Sequence, residues 1–458
     1  MRACWSLCNN MHQWWLMCAS GRQLGKSCDW RSELLAGDIC THSTKLLAEL
    51  APPRLGNARD PLFPYLATTA YVQTVGKHFM SAEVISRLVE FRSGMESRYA
   101  LTGMYLDCVL DKHDDCYRYE TYLALPVLKP LISSDSTHPS ASRLAAFLVA
   151  DAMRFELHAL HGWHKQLPVT RPSLGIVRKR LRKGVRFTAP WSSPLEFPHR
   201  PDQNLDYLLE LAERSEQPEA ARLLLAALPA ATDQDAALRI AISVLPVDVL
   251  HDEYLFIRVL QASETTFVTL AEQLRAAIRG IRTKDVEIAQ SAVNAASRCL
   301  AQGSQLFSIL ATMSADSFRR FRQFTEGASA IQSEHYKRFE LLCGVPSAQR
   351  LASAAFSNVP PVQAEARHAP ETLTRAYMDA RSQGWFGTEE WEAIDAALDG
   401  LEEAHQRWKT THFRIAGKML GDARGSGYTA GVPYLRELLD NRLFWAIPER
   451  AARTRRGD

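Results

Sequence analysis

Residues 411–431, THFRIAGKMLGDARGSGYTAG, carry one histidine on a helical pattern that runs into a glycine-rich loop. Ile415, Ala416, Met419 and Leu420 recur at helical spacing. His412 lies three and four residues before the first two, so it shares their apolar face. An imidazole on such a face is either a hydrogen-bonded core side chain or a ligand to a cofactor. The loop does not have the form of a phosphate cradle. A P-loop needs Lys and then Ser or Thr after its last glycine, whereas Gly425 is followed by Ser426 and Gly427. A dinucleotide fingerprint follows a strand, and this loop follows a helix.

A second set of chemistry-bearing residues lies nearer the N-terminus. DKHDDCYRYE offers Asp111, His113, Asp114, Asp115 and Glu120; ELHALHGWH offers Glu156, His158, His161 and His164. Histidines three apart share a helix face, and with carboxylates they could hold iron or zinc. The blander alternative is a satisfied polar face, since no complete metal signature is present.

Composition narrows the choices for the elements that position these groups. The chain has 458 residues, enough for two or three domains. It is 46% hydrophobic and 23% charged, as soluble globular proteins are. A net charge of +3 is too small to make nucleic acid the main partner. No apolar run approaches the roughly 18 residues of a membrane span. Of nine cysteines, Cys4, Cys8, Cys18, Cys28 and Cys40 fall in the N-terminal tail. No pair has CxxC spacing and no CxxCH occurs, which excludes a zinc ribbon and covalent c-type haem and suits a reduced cytoplasm. The tail's longest apolar stretch, WWLMCA, is too short for a signal peptide, so a disordered leader, or an overextended start, is expected.

The pattern divides the chain into an irregular leader over 1–60 and a helical N-terminal domain over 62–168. A proline-rich basic linker over 169–203 follows, then an all-α domain over 204–450. The linker has five prolines and a basic run from Arg178 to Arg186, which reads as solvated. From Asn204 onward apolar residues recur three and four apart almost without interruption, as in LDYLLELAERS and AARLLLAAL. Ser314 with Asp316, and Thr388 with Glu389 and Glu390, mark helix starts. The fold class is therefore all-α, with antiparallel helices in this half.

Four segments of this half, in order, resemble the tryptophan 2,3-dioxygenase family of haem enzymes. HDEYLFIRVLQASETTF (251–267) is similar to the family's helix on the distal side of the haem. ILATMSADSFRRFRQFTEGASAIQSEHYKRFELLCG (309–344) is similar to the stretch that ends in its substrate-carboxylate arginine. WKTTHFRIAGKMLG (408–421) resembles its proximal-ligand helix, and RGSGYTAGVPYLRELL (424–439) its glycine-rich loop. The resemblance spans about residues 250–445 and implies haem b, with His412 as the axial iron ligand and Trp408 packed beside it. Phe256 and Leu260 would line the distal side. Lys337, Tyr336, Ser426 and Gly427 would hold the substrate, with a loop that closes to exclude water.

Two positions depart from the family pattern. The carboxylate-binding arginine falls on Lys337, which keeps the charge but not the planar fork. The distal histidine falls on Leu260, which cannot accept a hydrogen bond from an indole N–H. Superfamily relatives include haem-dependent tyrosine hydroxylases and the ring-rearranging enzyme of pyrrolnitrin biosynthesis. Indole cleavage, single-oxygen insertion and rearrangement therefore all stay open, and a place in specialised metabolism is credible. The expected partners are O2 and an aromatic amino acid in a homo-oligomer, dimer or tetramer, with no nucleic acid and no membrane. The rival expectation is a non-catalytic helical scaffold or partner-binding protein that retains the fold.

Overall fold

The structure, a computed structural model, describes residues 43–50, 63–93, 100–115, 118–132, 140–163, 171–192, 204–421, 425 and 430–447. Among them the regular elements are α-helices and short 3-10 turns, with no strand, so the all-α expectation holds. The chain forms two compact units. One gathers Met1–Cys116, Thr121–Leu128 and Phe147–Arg258; the other gathers Tyr117–Glu120, Lys129–Ala146 and Val259–Asp458. No described helix is long and apolar enough to cross a membrane.

The second unit is built on four helices: α1 (His251–Arg282, whose first turns belong to the other unit), α2 (Val286–Leu310), α3 (Glu334–Cys343) and α4 (Thr388–Leu420). Their buried residues follow the helical period: Phe267, Leu270, Leu274 and Ile278 on α1, Ala289, Val293, Ala296 and Leu300 on α2, and Ile394, Leu398 and Leu401 on α4. These share one core with Phe339 and Cys343 of α3. Local chemistry fixes the helix starts. The Asp285 side chain accepts from Ile288 N ahead of α2, and Ser333 accepts from Tyr336 N ahead of α3. Ser314 caps the short helix Ala315–Arg322, as its sequence suggests. Glu390 reaches back 2.7 Å to Gly387 N at the start of α4. Gly280 lets α1 and α2 approach closely, because a Cβ there would lie 2.5 Å from Ala289 N.

In the first unit the sequence and the structure part company. Residues 169–203 read as a solvated linker, yet Leu174–Thr188 is a helix with Val177, Arg180, Leu181, Val185 and Phe187 buried. Val177, Leu181 and Val185 share a core with Met153 and Leu157, and with Leu208, Leu211, Ala221 and Leu224 from beyond the expected boundary at 204. Pro172 and Pro190 flank this helix, and the basic run is amphipathic. Arg178 and Arg182 face Glu216 and Glu213, while Arg180 turns inward. Of the leader expected over 1–60, residues 1–42 with their five cysteines lie outside the described residues, whereas 43–49 are helical and Leu46 and Leu50 join a core, against the expectation of an irregular segment.

Candidate functional site

Helix α4 presents His405, Trp408 and His412 at i, i+3 and i+7, a spacing that aligns them on one face. Aromatic side chains from the other three helices meet that face. His412 stacks on Phe307 of α2 with ring centroids 5.3 Å apart and planes 9° from parallel. Trp408 lies 5.6 Å from His412, 5.2 Å from Phe307 and 5.8 Å from Phe267 of α1. On its other side Tyr336 of α3 stacks at 5.2 Å and 22°. Tyr336 Oη is 3.0 Å from His405 Nε2.

His412 has ring contacts only; neither ring nitrogen has a hydrogen-bond partner among the described residues. Its enclosure holds the imidazole down to about 4. At neutral pH it is therefore an uncharged ring with a lone pair to give. His405 is fully buried, and burial likewise keeps it well below its ordinary range.

Lys337 does not stand open to a ligand. It is buried, its Nζ donates to Glu340 Oε2 at 3.1 Å, and it sits 5.0 Å over the rings of Tyr336 and Phe356. Burying an ammonium is tolerable only beside a counter-charge, which explains the pairing. Glu340 also accepts from Arg350 Nε at 2.5 Å and from Asn441 Nδ2 at 2.7 Å. Burial pulls Lys337 down to about 8, against the opposing pull of Glu340. Burial alone would raise the Glu340 carboxyl, but Lys337 and Arg350 outweigh it and hold the group well below the carboxylate range. Two cations thus share one carboxylate. Sequence reasoning missed Arg350, Glu340 and His405. Only the three-residue spacing of Lys337 and Glu340 on one helix could have signalled any of this.

Phe256 and Leu260, one turn apart on α1, are both half-exposed. The next turn brings Glu264, which is fully buried and takes the Tyr119 hydroxyl at 3.0 Å; its burial raises the carboxyl to about 7. Ser426 and Gly427 lie outside the described residues.

The N-terminal cluster does not assemble a metal site, and among the described residues no group of His, Cys, Asp and Glu is placed to hold an ion. Asp111 pairs with Lys77 at 3.0 Å, and Asp114 with Arg92 at 2.5 Å. His113, Asp115 and Glu120 are exposed, and Glu120 lies 3.7 Å from Arg118. His158 packs edge-on to Trp163, and His161 stacks on Trp163 while its Nε2 lies 2.8 Å from Ser215 O. His164 is outside the described residues. Glu156 meets Arg180 at 2.6 Å and His251 at 2.9 Å. The arrangement has a simple cause: Asp111, Asp114, Glu120 and Glu156 each found a cation closer to hand than a shared ion.

The sequence profile of the tryptophan 2,3-dioxygenase family matches residues 233–365. That stretch holds Phe256, Leu260, Tyr336 and Lys337 and ends before Trp408 and His412. A tryptophan 2,3-dioxygenase of Burkholderia pseudomallei is 28% identical over 227 residues, covering 42% of this chain and 74% of its own length. One from Burkholderia cenocepacia is 29% identical over 234 residues, covering 43% and 75%. One from Polaromonas naphthalenivorans is 28% identical over 233 residues, covering 43% and 82%. The C-terminal half of the chain is thus related in sequence to the tryptophan 2,3-dioxygenases.

Proposed function

We propose that the chain is a haem-dependent oxygenase that uses O2 to oxidise tryptophan or a related aromatic amino acid derivative. His412 carries this reading: a neutral imidazole, both nitrogens unpartnered, on an aromatic face of the family-like half. The ring is half-buried, and an enclosed polar group without a protein partner is suited to a ligand not made of protein. The residues present therefore fit haem b, which His412 would hold through a ring nitrogen, with Trp408 and Phe307 fixing the plane of the imidazole. When bound, haem supplies the redox-active iron that O2 needs in order to react with a closed-shell aromatic ring.

The chain's own residues do the rest. Lys337 and Arg350 share Glu340, and a substrate carboxylate would draw on the surplus positive charge of that trio by taking Lys337 out of its pairing with Glu340. Tyr336 sets the orientation of Lys337 by lying beneath its ammonium. Ser426 would hold the substrate ammonium, and closure of the Gly425–Gly431 loop would exclude water. Phe256 and Leu260 offer apolar surface to the substrate ring.

Absorption spectroscopy and product analysis test the proposal. Wild type supplemented with haem should show a Soret band that His412→Ala loses, or that becomes responsive to added imidazole. Mass spectrometry under labelled O2 should show oxygen entering an aromatic amino acid. The occupied ion pair of Lys337 favours the rival reading, a non-catalytic scaffold, and that protein would show no Soret band.

A further inference from the structure

His405 is a residue that haem ligation by His412 leaves without a task. It is fully buried; among the described residues its Nε2 meets only the Tyr336 hydroxyl, at 3.0 Å, and its Nδ1 has no partner. Tyr336 is in turn the outer member of a series of ring contacts. Its ring lies 5.2 Å and 22° from Trp408, whose ring lies 5.6 Å from His412. Rings in van der Waals contact offer a short path for an electron. The His405 imidazole, kept neutral by its surroundings, offers a lone pair to the phenol proton.

We propose that Tyr336 is a one-electron donor to an oxidised cofactor at His412, with Trp408 as the relay and His405 as the acceptor of the phenol proton. This inference rests on the haem reading above. The oxidant is hydrogen peroxide. As its O–O bond breaks it takes two electrons, one from the ferric cofactor and one from Tyr336, and with two solvent protons its oxygens end as water. The phenol proton passes to His405 Nε2, leaving a neutral tyrosyl radical and an imidazolium.

Electron and proton must leave together for an electrostatic reason. The Lys337 ammonium stands 5.0 Å over the Tyr336 ring, and a tyrosine radical cation beneath it would face like charge in an enclosed site. Loss of the proton to His405 removes that repulsion from the ring. The device would drain oxidising equivalents when peroxide reaches the site without substrate, sparing the residues that line it. His405 is a positioning residue in this scheme, since it acts on the cofactor only through Tyr336.

Haem-loaded full chain is mixed with hydrogen peroxide without substrate, freeze-quenched, and read by electron paramagnetic resonance. Wild type should give a tyrosyl radical whose spectrum contains an exchangeable-proton coupling that disappears in D2O. Tyr336→Phe should abolish that signal, and Trp408→Phe should slow its formation. His405→Phe should slow it about tenfold, as expected for losing one hydrogen bond to a charged product, and should remove the exchangeable coupling. His405→Gln, which keeps an acceptor, should restore part of the rate. The Soret band of each sample separates the two possible failures. A wild-type Soret band with a radical unchanged in Tyr336→Phe overturns the relay alone; no Soret band in wild type overturns the haem reading and the relay together.

Discussion

Each compact unit buries a charge cluster, and the two clusters are balanced differently. In the first, Arg180 lies 2.6 Å from Glu156 and 2.5 Å from Asp252, while His251 adds a 2.9 Å contact to Glu156. One guanidinium answers two carboxylates, with a histidine available to the pair. In the second, Glu340 alone answers Lys337 and Arg350. A closed, acid-satisfied cluster holds helices in register. A cluster with a cation to spare can hold helices and still attract an anion. Burial by itself does not separate structural from functional charge; the balance of signs inside the cluster does.

Removing one arginine from each cluster should give the largest effect and tests the contrast directly. Arg180→Ala removes the guanidinium that two buried carboxylates share and should cost about 3–5 kcal/mol. Arg350→Ala leaves Lys337 paired one to one with Glu340 and should cost clearly less. Denaturant unfolding followed by circular dichroism measures both. Equal losses would erase the distinction between the clusters.

Lys337 should give the next largest effect. If the surplus charge receives a substrate carboxylate, Lys337→Ala should raise KM by the equivalent of about 1.5–3 kcal/mol, with stability little changed. The pH dependence sharpens this. Burial lowers the ammonium from its ordinary 10.5 to about 8. The folded state then binds fewer protons than the unfolded chain between those values, so stability gains as pH rises through that window. Substrate capture moves the opposite way, because the counter-charge disappears as pH passes 8. KM should therefore climb above pH 8 in wild type and stay flat in Lys337→Arg, whose guanidinium remains charged. A flat wild-type profile would assign Lys337 to the fold alone.

The two units also differ in how much of them could be read from sequence. The long helices of the second unit announced themselves by periodic apolar residues and by caps such as Ser314. The apolar face of His412 followed from spacing within one helix. What escaped were partnerships between residues distant in sequence. Nothing near Arg180 says that Glu156 and Asp252 will enclose it, so a basic helix read as a linker. Nothing near His405 points to Tyr336, 69 residues away. Within one helix, Lys337 and Glu340 could have been paired by their spacing; Arg350, which competes for the same carboxylate, could not. Periodicity reports which face is buried, and only the packed structure says which polar group meets which.

Leu260 offers the smallest effect and the finest test of what the second unit accepts. A histidine at this point on α1 could accept a hydrogen bond from a substrate ring N–H; leucine offers apolar surface only. A ring N–H enclosed without a partner costs about 1–3 kcal/mol, so L-tryptophan should bind poorly unless another acceptor reaches it. A candidate on the same helix is Glu264, one turn on: its Oε1 takes the Tyr119 hydroxyl at 3.0 Å, while its Oε2 has no hydrogen-bond partner among the described residues. A ring that is substituted at nitrogen, or that lacks an N–H there, avoids the penalty. Wild type should therefore use N1-methyltryptophan at least as well as L-tryptophan, and Leu260→His should shift the preference back toward L-tryptophan. Competition assays with both, and with L-tyrosine, give the ratio of kcat/KM directly. A wild type that strongly favours L-tryptophan over its N1-methyl analogue would mean that another group reads the N–H. Glu264→Gln would then be the variant to compare, because the amide keeps an acceptor oxygen but gives up the carboxylate charge.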